Sequence, residues 1–134
     1  MWRHEDGLSL VEALVAIFVL TMVATSLGQM IGLGMMSNKN ARDLTTATSL
    51  STSKLEELRS GDYVNLVAGG DLASDASGYF EMLDVDDDGT NDFNRRWRVT
   101  DQTGGKTVEV RVIGLTDSIG PVREATMATV VSER

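Results

Sequence analysis

The sequence predicts an α+β fold, in which one long N-terminal helix packs on a small antiparallel sheet of three to four strands. Two observations lead to this prediction. Residues 13–38 contain no charged side chain, and ~20 apolar residues are enough to cross the hydrocarbon layer of a membrane as a helix. Much of the second half of the chain instead alternates apolar and polar residues with a period of two, which is typical of half-buried β-strands.

The helix is predicted to continue well beyond the apolar run. Because no proline or glycine lies between Gly34 and Gly61, the simplest prediction is one helix from about Leu10 to Ser60, ended by Gly61. At 1.5 Å per residue such a helix would be roughly 75 Å long, so its first half needs lipid or other subunits around it. Side chains at steps of three and four predict the face that packs on the sheet. They are Leu44, Ala47, Ser51, Leu55 and Leu58.

The strands are predicted from alternation and from the turns between them. Residues 64–78 are rich in Gly, Ala, Ser and Asp and predict a loop, with the Gly69-Gly70 pair as a breaker, followed by a short strand at 79–83. Residues 96–100 and 108–112 alternate around a turn at 102–105, which indicates an antiparallel hairpin with Trp97 in the core. A last strand is predicted at 122–131.

Composition limits the function classes. The chain has 134 residues, enough for one soluble domain of about 100 residues behind a membrane span. Its 20 acidic residues against 12 Lys and Arg argue against nucleic acid as a direct partner. Zero cysteines exclude disulfides, and the one histidine is His4. Ser51 to Lys54 spell Ser-x-x-Lys without companion motifs, so we predict no enzyme activity.

An acid near the start of the apolar run points to function. Glu12 follows Gly7 after only Leu8, Ser9, Leu10 and Val11. A lone carboxylate is costly to bury in lipid, and charged residues within membrane segments are rare and usually functional.

These residues resemble the class III signal of type IV prepilins and of the pseudopilins of type II secretion. The resemblance implies that prepilin peptidase cuts between Gly7 and Leu8 and methylates the new terminal amine. It also assigns to Glu12 the pairing with the terminal amine of a neighbouring subunit during assembly. The implied partners are other pilins or pseudopilins, the inner-membrane assembly platform and inner-membrane lipid.

The resemblance also predicts the division of the chain and its location. Residues 1–7 would be a leader, residues 8–36 the membrane-spanning and assembly half of the helix, and residues 37–134 the soluble domain. The protein would lie in the bacterial inner membrane, with its N-terminus cytoplasmic and its C-terminal domain outside the cytoplasm, before it joins a filament or pseudopilus.

One departure from the family pattern favours a minor subunit. Major pilins commonly carry a helix-loosening proline within this segment, whereas the one proline here is Pro121. We therefore expect a minor pilin that helps to initiate or cap a type IV pilus. A minor pseudopilin of a type II secretion system is the alternative, between which the sequence does not choose. A second alternative is a calcium-binding module on an uncleaved signal anchor, which processing after Gly7 would distinguish.

A cluster of acids in the second half predicts a metal site. Asp84, Asp86 and Asp88 alternate, then Gly89 permits a turn, and Asp92 follows. Ca²⁺ takes 6–8 oxygen ligands at 2.3–2.6 Å, and three alternating aspartates in a turning chain can converge on one ion. The backbone carbonyl of Thr90 would add a ligand.

Two features leave the calcium prediction open. Arg95 stands where an EF-hand has its closing glutamate, and no helical pattern flanks the loop, so the loop is not an EF-hand. The alternative is a solvated acidic turn between strands. In that case the nearby Arg95, Arg96 and Arg98 could supply part of the neutralisation.

Overall fold

The computed structural model describes residues 10–115 and 123–133. Within them one long helix packs on a four-stranded antiparallel sheet, which confirms the predicted α+β fold. The strands follow the order β1-β2-β3-β4, so each pairs with its neighbour in sequence. The elements are α1 (Leu10–Ser60), a 3₁₀ turn (Tyr63–Asn65), β1 (Phe80–Leu83), β2 (Phe93–Gln102), β3 (Gly105–Gly114) and β4 (Glu124–Val131).

The chain divides into two compact units, residues 1–39 and 40–134. In the first unit the described part, residues 10–39, is helical throughout, and all its side chains are exposed. The hydroxyls of Thr21, Thr25 and Ser26 donate to backbone carbonyls three or four residues earlier, so these polar groups have partners within the helix. Among the described residues α1 is the one helix that is long and apolar enough to cross a membrane.

The second unit contains the hydrophobic core, between the sheet and α1 from residue 40 onward. Val108, Val110 and Val112 are fully buried. They occupy alternate positions of β3, which has a strand on each side, and successive side chains of a strand point to opposite faces. Among the described residues, the buried members of the core are Ala47, Leu66, Phe93, Val99, Val108, Val110, Val112 and Val131.

The predicted contact face of α1 is correct at most positions. Ala47 and Ser51 are buried, and Leu55 and Leu58 are partly buried against the core. The prediction is wrong for Leu44, which is 48% exposed.

Polar contacts take the place of Leu44 at this level of the helix. There α1 contacts the chain just before β4, because Arg123 donates from Nε to Asn40 Oδ1 at 3.1 Å and from Nη1 to Asp43 Oδ2. The sequence pattern gave no indication of the contact between Arg123 and Asp43, because the two residues lie 80 positions apart.

A group of charged side chains joins α1 to the sheet. Lys54 and Arg95 are both buried, and both approach Glu81, at 3.5 Å from Lys54 Nζ to Oε1 and 2.6 Å from Arg95 Nε to Oε1. Lys54 Nζ also binds Glu57 at 2.8 Å and lies 4.4 Å from the centroid of the Trp97 ring. Trp97 therefore packs on the core as predicted and also receives a cation on its face.

The predicted loop between α1 and β1 is fixed to β2. Gly69 forms an isolated antiparallel bridge with Val99, with N···O distances of 2.9 and 2.8 Å. Further along, Asp75 Oδ1 accepts hydrogen bonds from Asn94 at 2.9 Å and from Arg96 at 2.7 Å. These contacts hold residues 69–75 against β2.

Candidate functional site

The residues of the predicted processing site lie at the N-terminus. Gly7 and Leu8 are outside the described residues. Glu12 lies in the first turn of α1, and its side chain is exposed on the helix surface. A carboxylate is favoured at a helix N-terminus by the helix dipole. At this position Glu12 is open to a cationic group from another molecule.

The predicted metal ligands lie in the connection between β1 and β2. The last pair of the two strands, Leu83 with Phe93, holds the ends of this connection together, and the Asp92 N–H donates to the Leu83 carbonyl at 2.8 Å. Since the strand ends are fixed, residues 84–92 must turn back within a short distance. This local constraint brings the alternating aspartates together.

Three of the predicted ligands converge. One carboxylate oxygen from each of Asp84, Asp86 and Asp88 lies within 4.8 Å of the other two. Such a set of oxygen atoms suits a hard divalent cation and suits Zn²⁺ poorly, because zinc sites are built mainly from Cys and His. Asp92 is not one of this group.

The backbone of the loop is shaped by side chains of the loop itself. The Gly89 N–H donates to Asp84 Oδ2 at 2.8 Å, the Thr90 N–H to Asp88 Oδ1 at 2.7 Å and the Val85 N–H to Asp92 Oδ2 at 2.9 Å. The turn needs left-handed backbone at Asp87, with φ of 58°, and at Gly89, with φ of 87°. Asp and Gly tolerate this conformation better than most residues.

The acids of this loop repel one another. The charge of Asp88 raises the pKa of Asp86 above its ordinary value, and desolvation and the charges of Asp92 and Asp84 act in the same direction. In addition, Asp84 Oδ1 is buried without a hydrogen-bond partner among the described residues. A polar atom in that position is costly unless something binds it.

The sequence suggested that Arg95, Arg96 and Arg98 could supply part of the neutralisation of the loop, and in the structure all three form ion pairs elsewhere. Alternation along β2 directs the three arginines to opposite faces of the sheet, where each binds an acid outside the loop. The pairs are Arg95 with Glu81, Arg96 with Asp75, and Arg98 with Glu109. No ion pair among the described residues joins these three cations to the acids of the loop.

Asp86→Asn is expected to raise the melting temperature of the metal-free protein at neutral pH, because it removes this repulsion. A folded-state pKa above the ordinary value of 3.8 means that the folded state binds a proton more readily than the unfolded state. The repulsion is therefore fully present above the raised pKa, and stability increases as the pH falls through it toward 3.8. The advantage of the variant over wild type should shrink over the same pH range, measured by thermal unfolding in chelator.

Asp71→Asn is the control, for which a change of melting temperature in the opposite direction is expected. A hydrogen bond from the Ser74 hydroxyl, followed by one from the Ala73 N–H, lowers the pKa of Asp71. Its ionised form stabilises the folded state above the ordinary pKa, and this contribution is lost as the pH falls through the lowered pKa. Asp71→Asn should lower the melting temperature at neutral pH, and equal shifts for the two variants would contradict this account of the loop.

The Ser-x-x-Lys match does not form a nucleophilic site in the structure. Ser51 is completely buried, and its Oγ donates to the Ala47 carbonyl at 2.8 Å. Lys54 Nζ donates to Glu57 Oε1 at 2.8 Å. Both side chains instead belong to the contact between helix and sheet.

Comparison with protein-family models, with curated proteins and with solved structures found no match.

Proposed function

We propose that this protein is a minor pilin, a minor structural subunit of a type IV pilus that is processed after Gly7 and helps to initiate or cap the filament. The observation that carries the proposal is the position of Glu12. It is an exposed acid in the first turn of a helix that is otherwise uncharged as far as residue 38 and able to cross a membrane. The small α+β domain that follows agrees with the resemblance seen in residues 7–12.

The assembly role that the resemblance assigns to Glu12 agrees with the cost of a charge in lipid. A carboxylate in a low-dielectric bundle of helices is heavily penalised alone, and an ammonium group that meets it satisfies both charges. Cleavage after Gly7 would create such a group at Leu8. In this proposal the Leu8 amine of one subunit pairs with Glu12 of another.

The remaining surface of the first unit agrees with such packing. All side chains of residues 10–39 are exposed, so this segment needs lipid or neighbouring helices. In the membrane its N-terminus would be cytoplasmic, where prepilin peptidase and the assembly platform act, and the second unit would lie outside the cytoplasm. Extraction into the filament would replace lipid contacts by helix contacts.

Processing gives the first test of the proposal. We expect mass spectrometry of the membrane-bound protein to find a mature chain that begins with a methylated Leu8, and to find the intact chain when prepilin peptidase is absent. Glu12→Ala should leave cleavage unchanged and abolish incorporation into sheared filaments. Glu56→Ala is the matched control, since Glu56 is an exposed acid on the same helix and should assemble normally.

Two results would contradict the proposal. An intact N-terminus in the wild-type membrane protein would favour the uncleaved signal anchor. If Glu12→Ala were incorporated into filaments normally, assembly would not need the pairing of Glu12 with the Leu8 amine.

The alternative in the same family is a minor pseudopilin of a type II secretion system, which would use Gly7, Leu8 and Glu12 in the same way. Deletion of the chain separates the two assignments. Loss of surface fibres with normal secretion is expected for a minor pilin, whereas loss of secreted enzymes with normal fibres would identify a pseudopilin.

A second function is proposed for the loop of residues 84–92, which is Ca²⁺ binding. Its support is the convergence of Asp84, Asp86 and Asp88 together with the buried, unpartnered Asp84 Oδ1. A divalent cation there would relieve the repulsion that raises the pKa of Asp86. Since the loop connects β1 to β2, the ion would stabilise the edge of the sheet and would not supply chemistry.

Calcium is expected to raise the melting temperature of the wild-type protein. At a concentration 100-fold above Kd the stabilisation would be about 2.7 kcal/mol, or about 11–22 °C for a domain of this size, in which 1 kcal/mol corresponds to about 4–8 °C. The double variant Asp86→Asn and Asp88→Asn should show no such rise. Asp87→Asn is the control, because Asp87 lies between them outside the converging group and asparagine also tolerates its left-handed backbone.

Calcium binding at this loop would be contradicted if calcium raised the melting temperature equally in the wild type, the double variant and Asp87→Asn. It would also be contradicted if calcium did not raise the melting temperature of the wild type. Magnesium in the same titration tests selectivity, since Mg²⁺ demands a stricter octahedral geometry than Ca²⁺.

A further inference from the structure

We draw no further inference here: the strongest candidate, the outer edge of β4, whose residues 125–131 are uncharged and contain no proline, carries nothing because nothing in the described part of the chain shows which strand or partner covers it.

Discussion

Gly70→Ala is expected to lower the free energy of unfolding of the second unit by about 2–5 kcal/mol, from backbone strain and steric overlap together. Gly70 has a φ of 88°, and a Cβ atom built on it would overlap the Trp97 carbonyl oxygen and lie 2.9 Å from Tyr79 Cδ1. The Trp97 backbone has little freedom to move away, because it lies within β2 and its N–H donates to the Tyr79 carbonyl at 3.0 Å. The loop would have to leave the sheet edge.

Gly78→Ala is the matched control for this prediction. Gly78 has a similar φ of 81°, but a Cβ there would meet no atom within 4 Å. Its replacement should cost only the left-handed backbone, roughly 1–2 kcal/mol. Urea unfolding followed by Trp97 fluorescence measures both changes, with Trp2→Phe in every variant so that one tryptophan reports. Equal destabilisation by the two variants would contradict the close approach of Gly70 to β2.

Whether the sequence could predict a feature of this loop depends on how far apart in sequence the contacting residues lie. The Gly69-Gly70 pair was visible as a break between helix and strand, since glycine favours turns for local reasons. Its bridge to Val99 was not, because the contact spans 30 residues and leaves no local pattern. For the same reason the hairpin of β2 and β3, which is local in sequence, could be predicted, whereas the attachment of the loop to β2 could not.

The candidate metal loop shows the same division. The convergence of Asp84, Asp86 and Asp88 arises within five residues, so spacing alone could predict it. The acids that the arginines of β2 bind could not be predicted in this way. The partner of Arg96, Asp75, is 21 residues away, and the partner of Arg98, Glu109, is on the neighbouring strand.

Lys54 illustrates a different limit. A lysine on an amphipathic helix is normally assigned to the solvent face, because burial of a charge is costly without a partner. Glu57 is a local partner at 2.8 Å, but the second carboxylate, Glu81, is on β1, and the aromatic ring that faces Lys54 is Trp97 on β2. Only the folded sheet brings these groups together, so the helical pattern left Lys54 out of the contact face although its side chain is 9% exposed.

Glu81→Ala is therefore expected to destabilise the second unit strongly. It would leave the side chains of Lys54 and Arg95, which are 9% and 10% exposed, without their shared carboxylate. Removing one partner of a buried ion pair costs about 3–5 kcal/mol. We expect the lower end of that range, because Glu81 itself is 33% exposed and Lys54 keeps Glu57.

Glu109→Ala provides the comparison, since it also removes a carboxylate from an ion pair on the sheet. Its partner, Arg98, has a 44% exposed side chain, so water can replace the lost carboxylate, and exposed pairs contribute about 0–1 kcal/mol. Glu81→Gln separates charge from shape, because the amide keeps an acceptor for Arg95 without the negative charge. Urea unfolding of the three variants should rank them as Glu81→Ala, then Glu81→Gln, then Glu109→Ala in decreasing destabilisation. If Glu81→Ala were no worse than Glu109→Ala, Lys54 and Arg95 would have to find other partners or water, and Glu81 would contribute little to the contact between α1 and the sheet.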